Sequence, residues 1–547
     1  YETISVKWAI STSNDSIDFE CTDGVHCGVV STSAAIDYTV KVIVESLRAD
    51  TWYYYQFRVG NETSEIGRTR TNPSPDTETD SWAFAFCSCK QYAHGFFTNL
   101  GDIAQREDIN MVVWLGDYIY EFPNDAWVNG TAIGREPFPD TYLYTLQQYR
   151  GRYLHHHLDM NVQAAHKQLP WFMVWDDHEV VNDYWKDGVP SQWQDTELYG
   201  VNFTARKANA YQAYFEWLPV RSLDFDARGG LYRSYAFGDL FDLIMVDARS
   251  QRTEPEANRS YAETLSAEEH YAFGQTQREW ILDSLRESKA RGSKWRIIGN
   301  DDVFGQSPPA SVYNGRYFFG EDKLEGYDAE RQIILDYIVY YSIDNVVNMA
   351  GGPHTGIAQK VYSTGEPIRY DWTSFPVMTE FVLDAIAAPK GSEDTRYVPY
   401  LDDYAAEWSW VSPYIRLQMD GYCIMTLNKS RIMVEYWVNN NTRSSQTHSV
   451  LDTSICVEDG VVDFVDCFVV KEMNVSSTSI SETESTAAPN KTDETDEMWF
   501  IIGVVFICLF AVALLVIAWL LYDKFSTKKE VSSGPYVSTN AEEVEME

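Results

Sequence analysis

A chain of 547 residues with 45% hydrophobic and 15% aromatic side chains can bury a large core, which excludes wholesale disorder and leaves room for two or more domains. Its formal net charge of −38 excludes nucleic acid as a binding partner, because a phosphate backbone calls for a basic surface. The same charge would repel an anionic substrate unless a cationic group waits in the site.

Residues 1–75 read as strands. ISVKWAI, YTVKVIVESL and TWYYYQFRV alternate or run in β-branched and aromatic residues, with no helical period. A small immunoglobulin- or fibronectin-like β-sandwich is the economical expectation. TRTNPSPDTETD (69–80), rich in Pro, Thr and Asp, reads as a linker.

From Trp82 strands alternate with helices, and residues 80–455 are read as one catalytic α/β domain. WAFAFCSC and MVVWLGD are predicted strands with a helix over FTNLGDIAQRED between them. TLQQYRGRYLHHHLDMNVQAAHKQL is predicted as helix before the strand FMVWDDHE. Then follow a strand (LFDLIMVDAR), an amphipathic helix (GQTQREWILDSLRESKARG), a strand (KWRIIGNDD), a helix (AERQIILDYIVYYSI) and a strand (NVVNMAGGPH). Such alternation implies a sheet with ligands at the carboxyl ends of its strands. The triplet His155, His156 and His157 is expected to form a polar helix face rather than a metal tract.

Residues 474–497 form a Ser/Thr-rich stalk with no means of building a core. The apolar run 498–522 is 25 residues long, enough at about 1.5 Å each to span a bilayer. Trp499, Trp519 and Tyr522 suit its interfaces, and Lys524, Lys528 and Lys529 mark 523–547 as a short cytoplasmic tail. The expected address is therefore the cell membrane, single-pass, with everything before 498 outside and a signal peptide already removed. Glycosylation sequons at Asn14, Asn61, Asn129, Asn202, Asn258, Asn428, Asn440, Asn474 and Asn490 all lie on that side. Cys21 with Cys27, and Cys456 with Cys467, are close pairs that an oxidising compartment would bridge.

Five predicted strands end in unusual side chains: Cys89; Asp117 with Tyr120; Asp176, Asp177 and His178; Asn300, Asp301 and Asp302; and His354. Each alone has a plainer reading, a cap or turn residue for the acids and a buried side chain or a disulfide to Cys87 or Cys423 for Cys89. Together, carboxylates gathered at one sheet edge repel unless cations neutralise them. Oxygen donors suit calcium or magnesium, while thiolate and phenolate suit a transition metal such as iron. A dinuclear site with one bridging carboxylate follows naturally.

In order along the chain, FCSCKQYAHGFF, LGDYIYEF, TLQQYRGRY, PWFMVWDDHEVVND, VDARSQR, FGQTQREWILDSL, WRIIGNDDVFGQ and EGYDAERQIIL resemble the PhoD-type alkaline phosphatases of the calcineurin-like metallophosphatase superfamily. The likeness extends to SLRADTWYYYQFRVG and IGRTRT near the N-terminus. It implies a core of two sheets flanked by helices, and hydrolysis of phosphate mono- or diesters by metal-activated water at a site of iron and calcium. By that likeness Cys89, Asp117, Tyr120, Asp177 and His354 fall on metal-ligand positions, with Asp117 as the bridge. His178 falls beside the leaving oxygen, and Arg150 is a candidate for phosphate binding.

One mismatch stands out. Where the family reads Gly-Asp-x-His, this chain has Gly351, Gly352, Pro353 and His354, and a glycine carries no donor atom. Asp301 or Asp302, one strand end away, is the expected replacement. The function expected is an extracellular phosphatase acting on small phosphorylated substrates; the alternative is a catalytically impaired homologue serving as a cell-surface receptor or adhesion protein.

Overall fold

The computed structural model describes residues 2–465, with its longest breaks at 191–199, 222–229, 306–320, 364–375, 389–413 and 440–447; residues 466–547 are not described. The stalk, the apolar run 498–522, the tail and Cys467 thus lie outside the described residues. Among those described, no helix is long and apolar enough to cross a membrane.

In the N-terminal region β1 (Ile4–Ser11), β2 (Val25–Thr32), β3 (Trp52–Val59), β4 (Glu62–Thr63) and β5 (Gly67–Arg70) form one antiparallel sheet, with β1 between β2 and β3. Two faces of a sandwich were expected; the described strands all join this single sheet. The expected strand YTVKVIVESL is not one. It runs without a ladder partner, and Lys41 from its middle donates to the carbonyl of Val220, so the stretch is tied to the following domain instead. Cys21 and Cys27 are bridged, and Cys456 is also disulfide-bonded.

The larger domain holds two sheets. One contains β6 (Ser81–Lys90), β7 (Val112–Leu115) and β8 (Trp171–Val174) in parallel, continued on the β6 side by antiparallel strands Asp420–Asn428, Arg431–Asn439 and Val450–Glu458. The other runs from β9 (Arg233–Phe237) through β10 (Phe241–Met245), β11 (Trp295–Asn300) and β12 (Val346–Ala350), with β10, β11 and β12 parallel. Alternation explains how they meet. Phe84, Phe86, Val113 and Leu115 of the first sheet interdigitate with Leu243, Met245, Ile297, Val347 and Met349 of the second. The opposite face of the first sheet, through Ala85, Cys87, Trp114 and Met173, packs on α1 (Thr98–Ala104), α2 (Leu146–His157), α3 (Met160–Gln168) and α4 (Phe203–Trp217). The outer face of the second packs on α5 (Gly274–Arg291) and α6 (Asp328–Tyr340). The expected core of two sheets flanked by helices is therefore observed.

One expected helix is two. Asp159 accepts from the amides of Asn161 and Val162, capping α3 and ending α2, and also pairs with Arg135 at 2.7 Å. The histidine triplet at the end of α2 is not a polar face either. His156 is fully buried, its ring stacked on Phe97 and its Nδ1 2.9 Å from the Lys90 ammonium. Aromatic neighbours from the link between β6 and α1, Tyr92 and Phe97, and from the turn after β7, Tyr118, claim these imidazoles as packing groups.

Candidate active site

Parallel strands direct their carboxyl ends to one edge, and there the unusual residues meet. In the last residues of β6 and in the turns that follow β7 and β12, Cys89, Asp117 and His354 each adopt left-handed backbone, with φ of 59°, 56° and 56°. For non-glycine residues this costs on the order of 1–3 kcal/mol each and persists where the surroundings enforce it. The enforced turn brings their side chains together. The Asp117 Oδ2 lies 3.4 Å from Cys89 Sγ and accepts from the Tyr120 hydroxyl at 3.1 Å, while Tyr120 Oη is 3.2 Å from His354 Nε2. Neither Cys89 nor Cys87 is disulfide-bonded.

The turn after β7 is held by one carboxylate. Glu179, fully buried, accepts from the backbone amides of Asp117, Tyr118 and Asp176 at 3.1, 2.5 and 2.9 Å. Glu179→Ala would leave three buried N–H groups unpaired, each at a cost of about 1–3 kcal/mol. We expect a lowered unfolding temperature and weakened metal retention together, measured by calorimetry and elemental analysis; an unchanged melt would show that Glu179 does not support the turn.

On the other side of Asp117, its Oδ1 accepts from the His178 amide at 3.3 Å. The His178 imidazole is fixed through Nδ1, 2.7 Å from Glu121, and its Nε2 is 4.0 Å from Asp177. The indole of Trp127 lies over both histidines, 5.9 Å from His178 and 6.0 Å from His354.

Among the described residues, ligand-type atoms within 4.8 Å of one another fall into three groups: Cys89, Asp117 and His354; Asp117, Asp177 and His178; and Asp177, Asp183 and Asp322. The electrostatics of the first call for a cation. Burial, reinforced by Asp176, pushes the Asp117 carboxyl up to about 8, and burial with the Asp117 charge pushes the Cys89 thiol and the Tyr120 phenol well above their ordinary values. These donors cannot ionise together without a positive charge among them, which a metal ion supplies. Their chemistry fits the expected groups: thiol, phenol and imidazole for a transition metal, carboxylates for a hard cation.

Of the residues singled out from sequence, Cys89, Asp117, Tyr120, Asp177, His178 and His354 converge. Arg150 does not join them. Its guanidinium pairs with Glu216 at 2.6 Å and donates to the carbonyl of Ala35 at 2.7 Å, fastening α2 to α4 and to the N-terminal domain. Asp302 is also committed elsewhere, to Arg252 at 2.6 Å and to its own neighbour's amide. Asp301 is buried with neither carboxylate oxygen hydrogen-bonded, 3.5 Å from Arg249, and joins none of the three groups. Neither residue is thus among the three groups.

The buried arginine at the site is Arg249, which donates to Asp176 at 2.6 Å and lies 3.2 Å from Asp322. It sits inside VDARSQR, a motif legible as a strand end but with no spacing that announces its partners. Asp183, Glu121, Asp322 and Lys323 likewise carry no signal of their own.

Known proteins give the same picture. A PhoD-like phosphatase family model matches residues 84–436, and the model of the N-terminal domain of PhoD-like phosphatases matches residues 2–73. Alkaline phosphatase D of Bacillus subtilis (strain 168) is 29% identical over 401 residues, 72% of this chain and 65% of that protein, so the chain spans slightly under two thirds of that relative. A solved structure of PhoD matches with a TM-score of 0.71 at 24% identity, over 85% of each chain, a likeness of fold. Matched over both its N-terminal sheet and most of its two-sheet domain, the chain belongs to the PhoD-like phosphatase family.

Proposed function

We propose that the chain is a metal-dependent phosphoric ester hydrolase, releasing inorganic phosphate from small phosphate mono- or diesters. The observation that carries this reading is the double membership of Asp117, whose carboxylate belongs both to the group with Cys89 and His354 and to the group with Asp177 and His178. One carboxylate shared by two ligand groups is the geometry of a bridge.

Cys89, Tyr120, Asp117 and His354 would hold iron, and Asp117 with Asp177 would hold calcium. Ions bound there supply charge for the phosphoryl oxygens and acidify water. The protein does the rest. Glu121 orients His178 through Nδ1, leaving Nε2 to deliver a proton to the departing ester oxygen. Trp127 and Phe122 wall that imidazole on its apolar side, which limits water around the leaving group. The run 498–522 is proposed to carry the enzyme at the cell membrane with its catalytic domain outside, where the sequons would be glycosylated.

Gly352, which lacks a donor where the family pattern has an acid, favours a second reading, a catalytically impaired surface receptor. Purified protein assayed on chromogenic phosphate mono- and diesters separates the two. Turnover that a chelator removes and added metal restores is expected. A metal-loaded protein that cleaves neither ester class would sink the hydrolase reading and support the receptor.

A further inference from the structure

Lys323 stands beside the place where the late strand-end motif lacks its acid. A side chain beginning at Gly352 would start 3.7 Å from the Lys323 ammonium. It would also start 2.8 Å from the Asp301 carbonyl oxygen, and Gly352 has φ +83°, so no carboxylate can be restored there without displacement of the backbone. The position carries no acid of its own and faces both the Asp176 carboxylate, at 3.3 Å, and the Lys323 ammonium.

Among the described residues three basic side chains reach this edge, and they are not equivalent. Arg249 and Arg252 are both 0% exposed, and their guanidinium groups are engaged with Asp176 and Asp322 and with Asp302 respectively. The Lys323 side chain keeps 13% of its surface exposed, and its ion pair is with the adjacent residue, Asp322, at 3.2 Å. An ammonium has three donors in a freely rotating head, so one neighbouring carboxylate leaves capacity for a further acceptor. Asp322 itself belongs to the third ligand group, and the Lys323 charge also acts on the carboxyls of Asp117, Asp177 and Asp183. An anion entering this strongly acidic protein needs a cation it can reach from solvent, and among the described residues at this edge Lys323 is the basic side chain with exposed surface.

We propose that Lys323 binds a phosphoryl oxygen of the substrate and of the phosphate product. The proposal rests on the hydrolase reading for its substrate, but its test uses inorganic phosphate and does not need turnover. Lys323→Met keeps the length of the stem and removes the donors. Orthophosphate binding to the metal-loaded full chain, measured by calorimetry, is expected to weaken roughly tenfold to a hundredfold, the worth of one hydrogen bond to a charged group. KM for a phosphate ester should rise by a similar factor with kcat changed far less. Metal content and melting temperature should stay at wild-type values, and Lys323→Arg should recover most of the phosphate affinity.

Unchanged phosphate affinity in Lys323→Met overturns the proposal. So does loss of bound metal in that variant, which would make Lys323 a support of the metal centre. Wild-type protein that binds phosphate through Lys323 yet hydrolyses no ester would refute the hydrolase reading and leave this one standing.

Discussion

Asp117→Asn is expected to lose bound metal and at least about 10³-fold in kcat/KM, while the protein stays folded. Bound cations are worth several kcal/mol at a phosphoryl-transfer transition state, and each 1.36 kcal/mol is tenfold in rate. Asn matches Asp in shape and tolerates the left-handed backbone found here, φ 56°, so the turn after β7 survives. What disappears is the charge. The Asp117 oxygens face Cys89 and Tyr120 on one side and the His178 amide on the other, and both ligand groups depend on them. Elemental analysis and a turnover assay on the same sample check this. Wild-type metal content in Asp117→Asn would remove the bridging carboxylate from the account, and with it the reason for a shared site.

The second large effect concerns His178. Its Nδ1 is held by Glu121, and burial would disfavour a charged ring were it not for Asp177, Glu121 and Asp117, which together hold the imidazole well above its ordinary value. A protonated imidazole facing the departing ester oxygen would suit proton donation. His178→Asn should reduce kcat by roughly 10²–10⁴ for an alkyl phosphate, the range typical of a positioned general acid. For a nitrophenyl ester, whose leaving group departs without help, the loss should be much smaller. Metal content should be little changed. An equal loss for both esters, or loss of metal, would reassign His178 from proton donor to ligand. Glu121→Gln, which keeps a hydrogen-bonding partner but removes its charge, should show the same leaving-group dependence in weaker form.

Much of this site was legible before any coordinates. Cys89, Asp117, Asp177 and His354 announce themselves because each follows an apolar β-run directly, and parallel strands bring such ends to one edge. Tyr120 and His178 follow within three residues and share the same turns. Residues placed by long-range pairing left no comparable mark. Arg150 sits in a motif of the family's kind, yet its guanidinium is consumed by Glu216 from α4 and by a carbonyl of the N-terminal domain. Neither partner is near it in sequence. Asp301 and Asp302 look alike on paper; only the approach of Arg252 to one and Arg249 to the other separates them. The three histidines at the end of α2 read as polar until Tyr92, Phe97 and Tyr118 are seen packed around them.

By itself, then, the order of residues determined the alternation of strands and helices, the strand ends that bear ligands, and the acidic character that makes a cation necessary. Those depend on local periodicity and on side-chain chemistry, which act over a few residues. Only the tertiary structure decided which charges are spent on one another and which remain for a ligand. Arg249 is buried among carboxylates from three separate segments, and Lys323 stands opposite a glycine nearly thirty positions away. Coulombic and hydrogen-bond partnerships fall off with distance in space, not along the chain, so no local pattern encodes them.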